Sequence, residues 1–363
     1  MDERIHEHAE VLIDWSARVE AGDDVVLSVA EGAHELAVAV AERLGERGAN
    51  LVATYDSDEV SRAYLRAHDG EFEAGDHELA LVENADVYLR LGGGRNTSAS
   101  ADVPSDIRQA HASATAEVRE ARMATDWVST VHPTRSLAQQ AGMAYEEYQE
   151  FAYGAILRGW EALADEMARM KELLDEGSEV RIRKERTDLT MSIEGRTAVN
   201  SAASVAYDSH NLPSGEVFTA PYATEGEVFF DVPMTINGRR VRDAYLEFED
   251  GEVVAFDAQE NRKVLETVLE TDEGARRLGE LGIGMNRGID RFTDNVLFDE
   301  KMGDTVHLAL GRAYDANLPA GEEGNRSAVH VDLITDVSEG VVEIDGEVVQ
   351  RNGRFRWEDG FEE

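Results

Sequence analysis

Cysteine is absent from all 363 residues. That excludes disulfides, thiolate metal ligands and a cysteine nucleophile. Any metal here must be held by carboxylate, imidazole and water, a set suited to zinc, cobalt or manganese rather than copper(I) or iron–sulfur clusters. Lysine is almost as scarce: Lys171, Lys184, Lys263 and Lys301 are the only four among 35 basic residues, the rest being arginine. Basic residues as a class are outnumbered by 75 acids, for a net charge of −40. Nucleic acid and anionic membranes are therefore not expected partners, because phosphate contacts need a basic surface. No apolar run is long enough to span a membrane. Residues 1–20 read as an acidic amphipathic helix, not as a basic and then apolar export signal. A cytoplasmic protein is expected.

What is present in excess is acid. Periodic apolar segments argue for a folded chain with an acidic, lysine-poor surface rather than for disorder. Such a surface repels itself in dilute buffer and is screened by salt. The composition is that expected of a protein from a salt-in halophile, such as a halophilic archaeon.

The first hundred residues alternate strand and helix. Strands are predicted at Asp24–Ala30, Leu51–Tyr55 and Val87–Leu91. A helix is predicted over Glu31–Arg47, with Leu36, Val40 and Leu44 on one face and Gly48 as its stop. Shorter helices are read at Val60–His68 and Pro104–Arg122, and a further strand at Asp126–Thr130. This alternation indicates parallel βαβ units. A helix at Arg135–Gln140 and one long helix over Tyr145–Leu174 follow, and the domain boundary is placed near Gly177. The expected organisation is an α/β N-terminal domain, residues 1–176, and an α+β C-terminal domain, residues 177–363. In the second half, Asp250-Gly251 and Asp345-Gly346 mark hairpin turns, and one helix is read over Glu260–Leu278. Gly92-Gly93-Gly94 lacks the spacing of a phosphate loop, and His132-Pro133-Thr134 reads as a structural turn.

Metal-competent residues recur in the second half. In Val329-His330-Val331-Asp332-Leu333, period-two alternation projects His330 and Asp332 from one face of a strand. A solvated strand face gives the same pattern. His307 shares its face with Ala309 and Gly311, which leave room beside it, although a buried structural histidine would read alike. Glu300 follows the apolar run Val296-Leu297-Phe298 and precedes the His307 strand. Glu280 lies among Gly279, Gly282 and Gly284 in apolar sequence, where a buried carboxylate needs a compensating partner. Glu216 lies on a loop entering an apolar strand, where it could also cap backbone N–H groups.

The stretches NLPSGEVFTAP, RRLGELGIGMN, LFDEKMGDTVHLALG and AVHVDL, in this order, resemble the motifs of the aminopeptidase T family of metalloaminopeptidases. VHPTRSLAQQAGMAYEEYQEFAYGA, at residues 131–155, resembles the same family. The resemblance is clear over about residues 125–335 and weaker before them. It implies that Glu216, Glu280, Glu300, His307, His330 and Asp332 are metal ligands and that Tyr314 is the active-site tyrosine. The EKMGDTV stretch is longer by two residues than in better-known members, which leaves Asp304 as an alternative to Glu300. Six ligands, four of them carboxylates, are too many for one zinc site and fit two divalent ions ~3.5–4 Å apart. The resemblance then implies a two-metal aminopeptidase acting on peptides with a free N-terminus through a metal-activated water. Glu280 is expected to bridge the ions and Tyr314 to stabilise the oxyanion. A homodimer is expected by resemblance alone. A two-metal amidohydrolase of non-peptide amides, or a non-catalytic homologue clamped by its metals, are the alternatives.

Overall fold

The alternation of apolar runs and amphipathic stretches in the first part of the chain produces a parallel sheet. In the computed structural model, which describes residues 2–236 and 238–361, its strands run in the order Asn50–Asp56, Asp24–Ala30, Val87–Gly92, Asp126–Val131 and Asn211–Leu212. All neighbours pair parallel. Asp24–Ala30 is buried on both faces, as a central strand between crossover helices must be. The expected helix is His34–Arg47, and it closes on Gly48 at φ +77°, a left-handed cap that a side chain would strain.

Tertiary contacts divide the chain into two compact units: residues 1–158 with 203–213, and residues 159–202 with 214–363. Gly177, the boundary read from sequence, is the residue that ends the helix Trp160–Glu176. That helix is separate from Tyr145–Ile156, so the single helix expected over Tyr145–Leu174 is in fact two. Leu157 and Gly159 leave helical dihedrals between them, and the division of units falls at this break. Apolar spacing runs through the break unaltered, which is why periodicity does not reveal it. Pro104–Arg122 is likewise two helices, Ser105–Ala114 and Ala116–Met123.

The second unit carries two antiparallel sheets. In the larger one, Arg239–Glu249 and Glu252–Glu260 join through Asp250 and Gly251, both at positive φ as a tight hairpin requires. Val341–Ile344 and Glu347–Arg351 join in the same way through Asp345 and Gly346. The smaller sheet has the order His330–Asp336, Thr305–Gly311, Leu278–Gly284, Glu216–Thr219, Val199–Ser201. Here the expected helix over Glu260–Leu278 is corrected. The helix covers only Arg262–Leu269, a 3-10 turn follows at Glu273–Arg276, and Leu278 begins a strand. That strand is buried at every position, so it lacks the alternation that would have announced it. Among the described residues no helix is long and apolar enough to cross a membrane.

Candidate metal centre

The smaller sheet gathers the metal-competent side chains on one face. Register places Ala309 opposite both Glu280 and Asp332, and Gly311 opposite His330. Gly282 lies opposite His307 on one side and Phe218 on the other, and Gly284 lies opposite Glu216. Directly paired residues point the same way, so Glu216, Glu280, His307, His330 and Asp332 sit over a floor of small residues. The floor is a steric requirement at Gly282: a Cβ there would lie 1.9 Å from the His307 ring.

The two histidines are oriented alike. The Nδ1 of His307 faces the Glu300 carbonyl at 3.3 Å, and the Nδ1 of His330 faces the Arg312 carbonyl at 2.9 Å. A carbonyl only accepts, so each Nδ1 carries the proton and each Nε2 is left for the site. Both Nε2 atoms converge on Glu280: His307 meets Oε1 at 3.0 Å and His330 meets Oε2 at 3.6 Å. His330 Nε2 is also 3.4 Å from Asp332 Oδ1. One ligand atom from each of Glu280, His307 and Asp332 falls within 4.8 Å of the others. Glu216 approaches from the neighbouring strand, its Oε2 lying 3.9 Å from His307 Nδ1.

Glu300, at the end of the short helix Val296–Asp299, faces Glu216 across a lysine. Lys301 Nζ is 3.3 Å from Glu216 Oε1 and also contacts Glu300 Oε1. Its side chain is fully buried. Asp304 is turned elsewhere, onto Arg287, whose guanidinium is shared with Glu358. Tyr314 stands at the exposed rim, its ring 5.0 Å from that of His330 and 6.0 Å from that of Phe218.

The electrostatics show a shortage of positive charge. Burial raises the Glu216, Glu280 and Glu300 carboxyls above their ordinary range, although Lys301 and the histidines pull the other way. Asp332 is held low: burial opposes its ionisation, but its bond to His330 and the nearby cations outweigh that cost. Burial would depress His307, yet Glu280 and Glu216 push it up to about 10. His330 is pushed up to about 9 in the same way by Asp332 and Glu280. Among the described residues, these four carboxylates thus face one permanently charged cation, Lys301. Glu216 Oε2 is buried without a hydrogen-bond partner, an arrangement that is costly unless a cation meets it. These residues fit divalent metal.

Residues 1–355 match the family model described as thermophilic metalloprotease (M29). The chain belongs to the thermophilic metalloprotease (M29) family. Aminopeptidase T of Thermus aquaticus is 29% identical to it, over 95% of this chain and 94% of the relative. Aminopeptidase 2 of Geobacillus stearothermophilus is 27% identical, over 98% of each. The solved structure titled wild-type AmpT from Thermus thermophilus superposes with a TM-score of 0.86 at 27% identity, covering 98% of this chain and 99% of that one. The resemblance drawn from the motifs therefore holds, and so does the fold class. This M29 protein is a metallopeptidase.

Two residues at the centre escaped sequence reading. Phe218 is an apolar strand residue with nothing to distinguish it. Lys301 did carry a signal: it is one of four lysines in a chain that otherwise uses arginine. A lysine directly after a candidate ligand, in a chain that otherwise uses arginine, places a compact ammonium beside that ligand.

Proposed function

We propose that this M29 metallopeptidase is a two-metal aminopeptidase that removes the N-terminal residue from peptides. One observation carries the reading: the Nε2 atoms of two carbonyl-oriented histidines face opposite oxygens of one buried carboxylate, Glu280. That arrangement suits a carboxylate shared by two ions. Glu216, Glu280, Glu300, His307, His330 and Asp332 would hold them, and zinc, cobalt and manganese all accept such donors. When bound, a pair of such ions supplies a water of lowered pKa and Lewis-acid polarisation of the scissile carbonyl.

The chain's own residues do the rest. The Glu300 and Arg312 carbonyls fix both imidazoles in the tautomer that leaves Nε2 free. A free α-amino group in its neutral form is a donor that such a centre would accept, which favours peptides with an unblocked N-terminus. Tyr314 lies on the open side, where the substrate carbonyl would enter. Burial, reinforced by the charges of Glu280 and Asp332, raises its phenol, so it stays protonated and able to donate to an oxyanion. Peptides with a free N-terminus are the substrates of this reading, and a homodimer in the cytoplasm of a halophile its setting. Light scattering in concentrated salt tests the dimer.

The direct test strips the enzyme with chelator and restores zinc, cobalt or manganese one at a time. Amino-acyl substrates are compared with their N-acetylated forms and with non-peptide amides. Loss and recovery of activity confined to free N-termini is expected. Undiminished cleavage in the stripped enzyme would defeat the proposal, and equal cleavage of non-peptide amides would move it to an amidohydrolase.

A further inference from the structure

The two halves of the metal centre are not equivalent. Glu280, His307 and Asp332 form a cluster whose one basic member is an imidazole, a group that can act as a ligand itself. Glu216 and Glu300 instead share an ammonium that cannot leave. The Lys301 side chain has no exposure, and its Nζ touches both carboxylates. Its backbone is held on both sides: its N–H donates to Phe298, and its carbonyl accepts from Asn286 at 2.9 Å.

We infer that Lys301 is a built-in counter-ion of the metal centre, which keeps the Glu216 and Glu300 carboxylates in place in the metal-free protein and makes two divalent ions bind with unequal affinity. The inference rests on the two-ion reading above. Two carboxylates buried side by side repel each other strongly in a medium of low polarity. An ammonium between them removes that penalty, so the metal-free protein can fold with its site formed. The same ammonium repels an incoming dication. An ion using Glu280, His307 and Asp332 therefore binds first, and the ion that needs Glu216 and Glu300 binds second and more weakly. Charge counting agrees. Four carboxylates and one ammonium sum to −3, and two dications bring the centre to +1. Without the lysine the loaded centre would be neutral. Lys301 is thus a positioning residue, not a catalytic one.

The test is calorimetric titration of the chelator-stripped full chain with zinc, and separately with manganese. It compares the wild type with Lys301→Met and Lys301→Gln, and the Tm of each is read with and without metal. The wild type is expected to show two affinities at least about tenfold apart. In both variants the weaker site should tighten so that the gap closes by about tenfold, and the gain in Tm on metal binding should exceed that of the wild type. Variants that fold only with metal support the inference equally. Lys301→Gln keeps a hydrogen-bond donor without the charge, so wild-type affinities and wild-type Tm gain in Lys301→Gln would overturn it. Equal loss of Tm with and without metal in both variants would overturn it too. A wild type that binds one ion or none overturns the two-ion reading itself, an outcome distinct from two bound ions whose affinities ignore Lys301.

Discussion

Both units bury histidine, with opposite results. In the first unit His8 and His132 are buried, and burial lowers both imidazoles, with Glu35 only partly opposing it at His132. His8 Nε2 is 2.8 Å from Thr130 Oγ1, and that hydroxyl donates to the Leu212 carbonyl at 2.7 Å. The hydroxyl has one proton, so His8 Nε2 must be the donor to Thr130 and its Nδ1 is a bare lone pair. Burial, with the nearby His132, drives the His8 pKa down to about 3. In the second unit His307 is as deeply buried, yet Glu280 and Glu216 push it up to about 10. The contrast shows what burial does and does not decide. Burial alone keeps an imidazole neutral and structural. Burial beside several carboxylates creates a demand for cations, and that demand marks the candidate metal centre.

The contrast breaks most completely if a charge-site histidine is removed. His307→Ala is expected to lose bound metal and to lower peptidase activity to background, whereas His8→Gln should leave both intact. Metal content by elemental analysis, beside an activity assay, checks this pair. Tyr314→Phe tests the rim rather than the ligands. It should lower kcat by about 10²–10³-fold, with metal content unchanged, if the phenol supplies the oxyanion bond.

Next in size is the choice between Glu300 and Asp304, the two acids that flank Lys301 in sequence. Glu300→Gln should lose the more weakly held metal. Asp304→Asn should keep both ions and cost at most about 1 kcal/mol, because its pair with Arg287 is partly exposed and Glu358 remains. The whole surface supplies a further test. With a net charge of −40, structure should be lost in dilute buffer and regained in concentrated salt, as followed by circular dichroism. Full structure across that range would remove the halophile reading.

The smallest effect sharpens the comparison from the first unit. The His8 pKa is lower in the folded than in the unfolded chain, so the unfolded chain binds more protons between pH 6.5 and about 3. Its contribution to stability is whole above pH 6.5 and is lost as pH falls through that window, at up to about 1.4 kcal/mol per pH unit. Denaturant titrations of wild type and His8→Gln under chelation should differ in slope there. Parallel curves would show that His8 does not titrate in this way.

How much of this was legible in the sequence depended on whether a residue left a periodic trace. His330 and Asp332 alternate with apolar neighbours on a half-buried strand, so period two exposed them. Four of the five parallel strands of the first unit are short apolar runs and were equally plain, whereas the fifth, Asn211–Leu212, is only two residues long and was read as loop. The Glu280 strand was hidden because it is buried on both faces and follows a helical stretch without a proline. Glycine gave the right environment for Glu280 by a general argument, but the particular reason, that the His307 ring lies across Gly282, needs the third dimension. Lys301 follows an acid, and such a pair reads as solvated surface. Only its rarity in this chain distinguishes it.

The central claim is that Glu280 stands between two divalent ions. Crystals of the metal-loaded enzyme, measured on both sides of the zinc or manganese absorption edge, test it most directly. The account predicts two anomalous peaks within reach of the Glu280 carboxylate, one on the side of Asp332 and one on the side of Glu216 and Glu300. A single peak, or none within reach of Glu280, would contradict it.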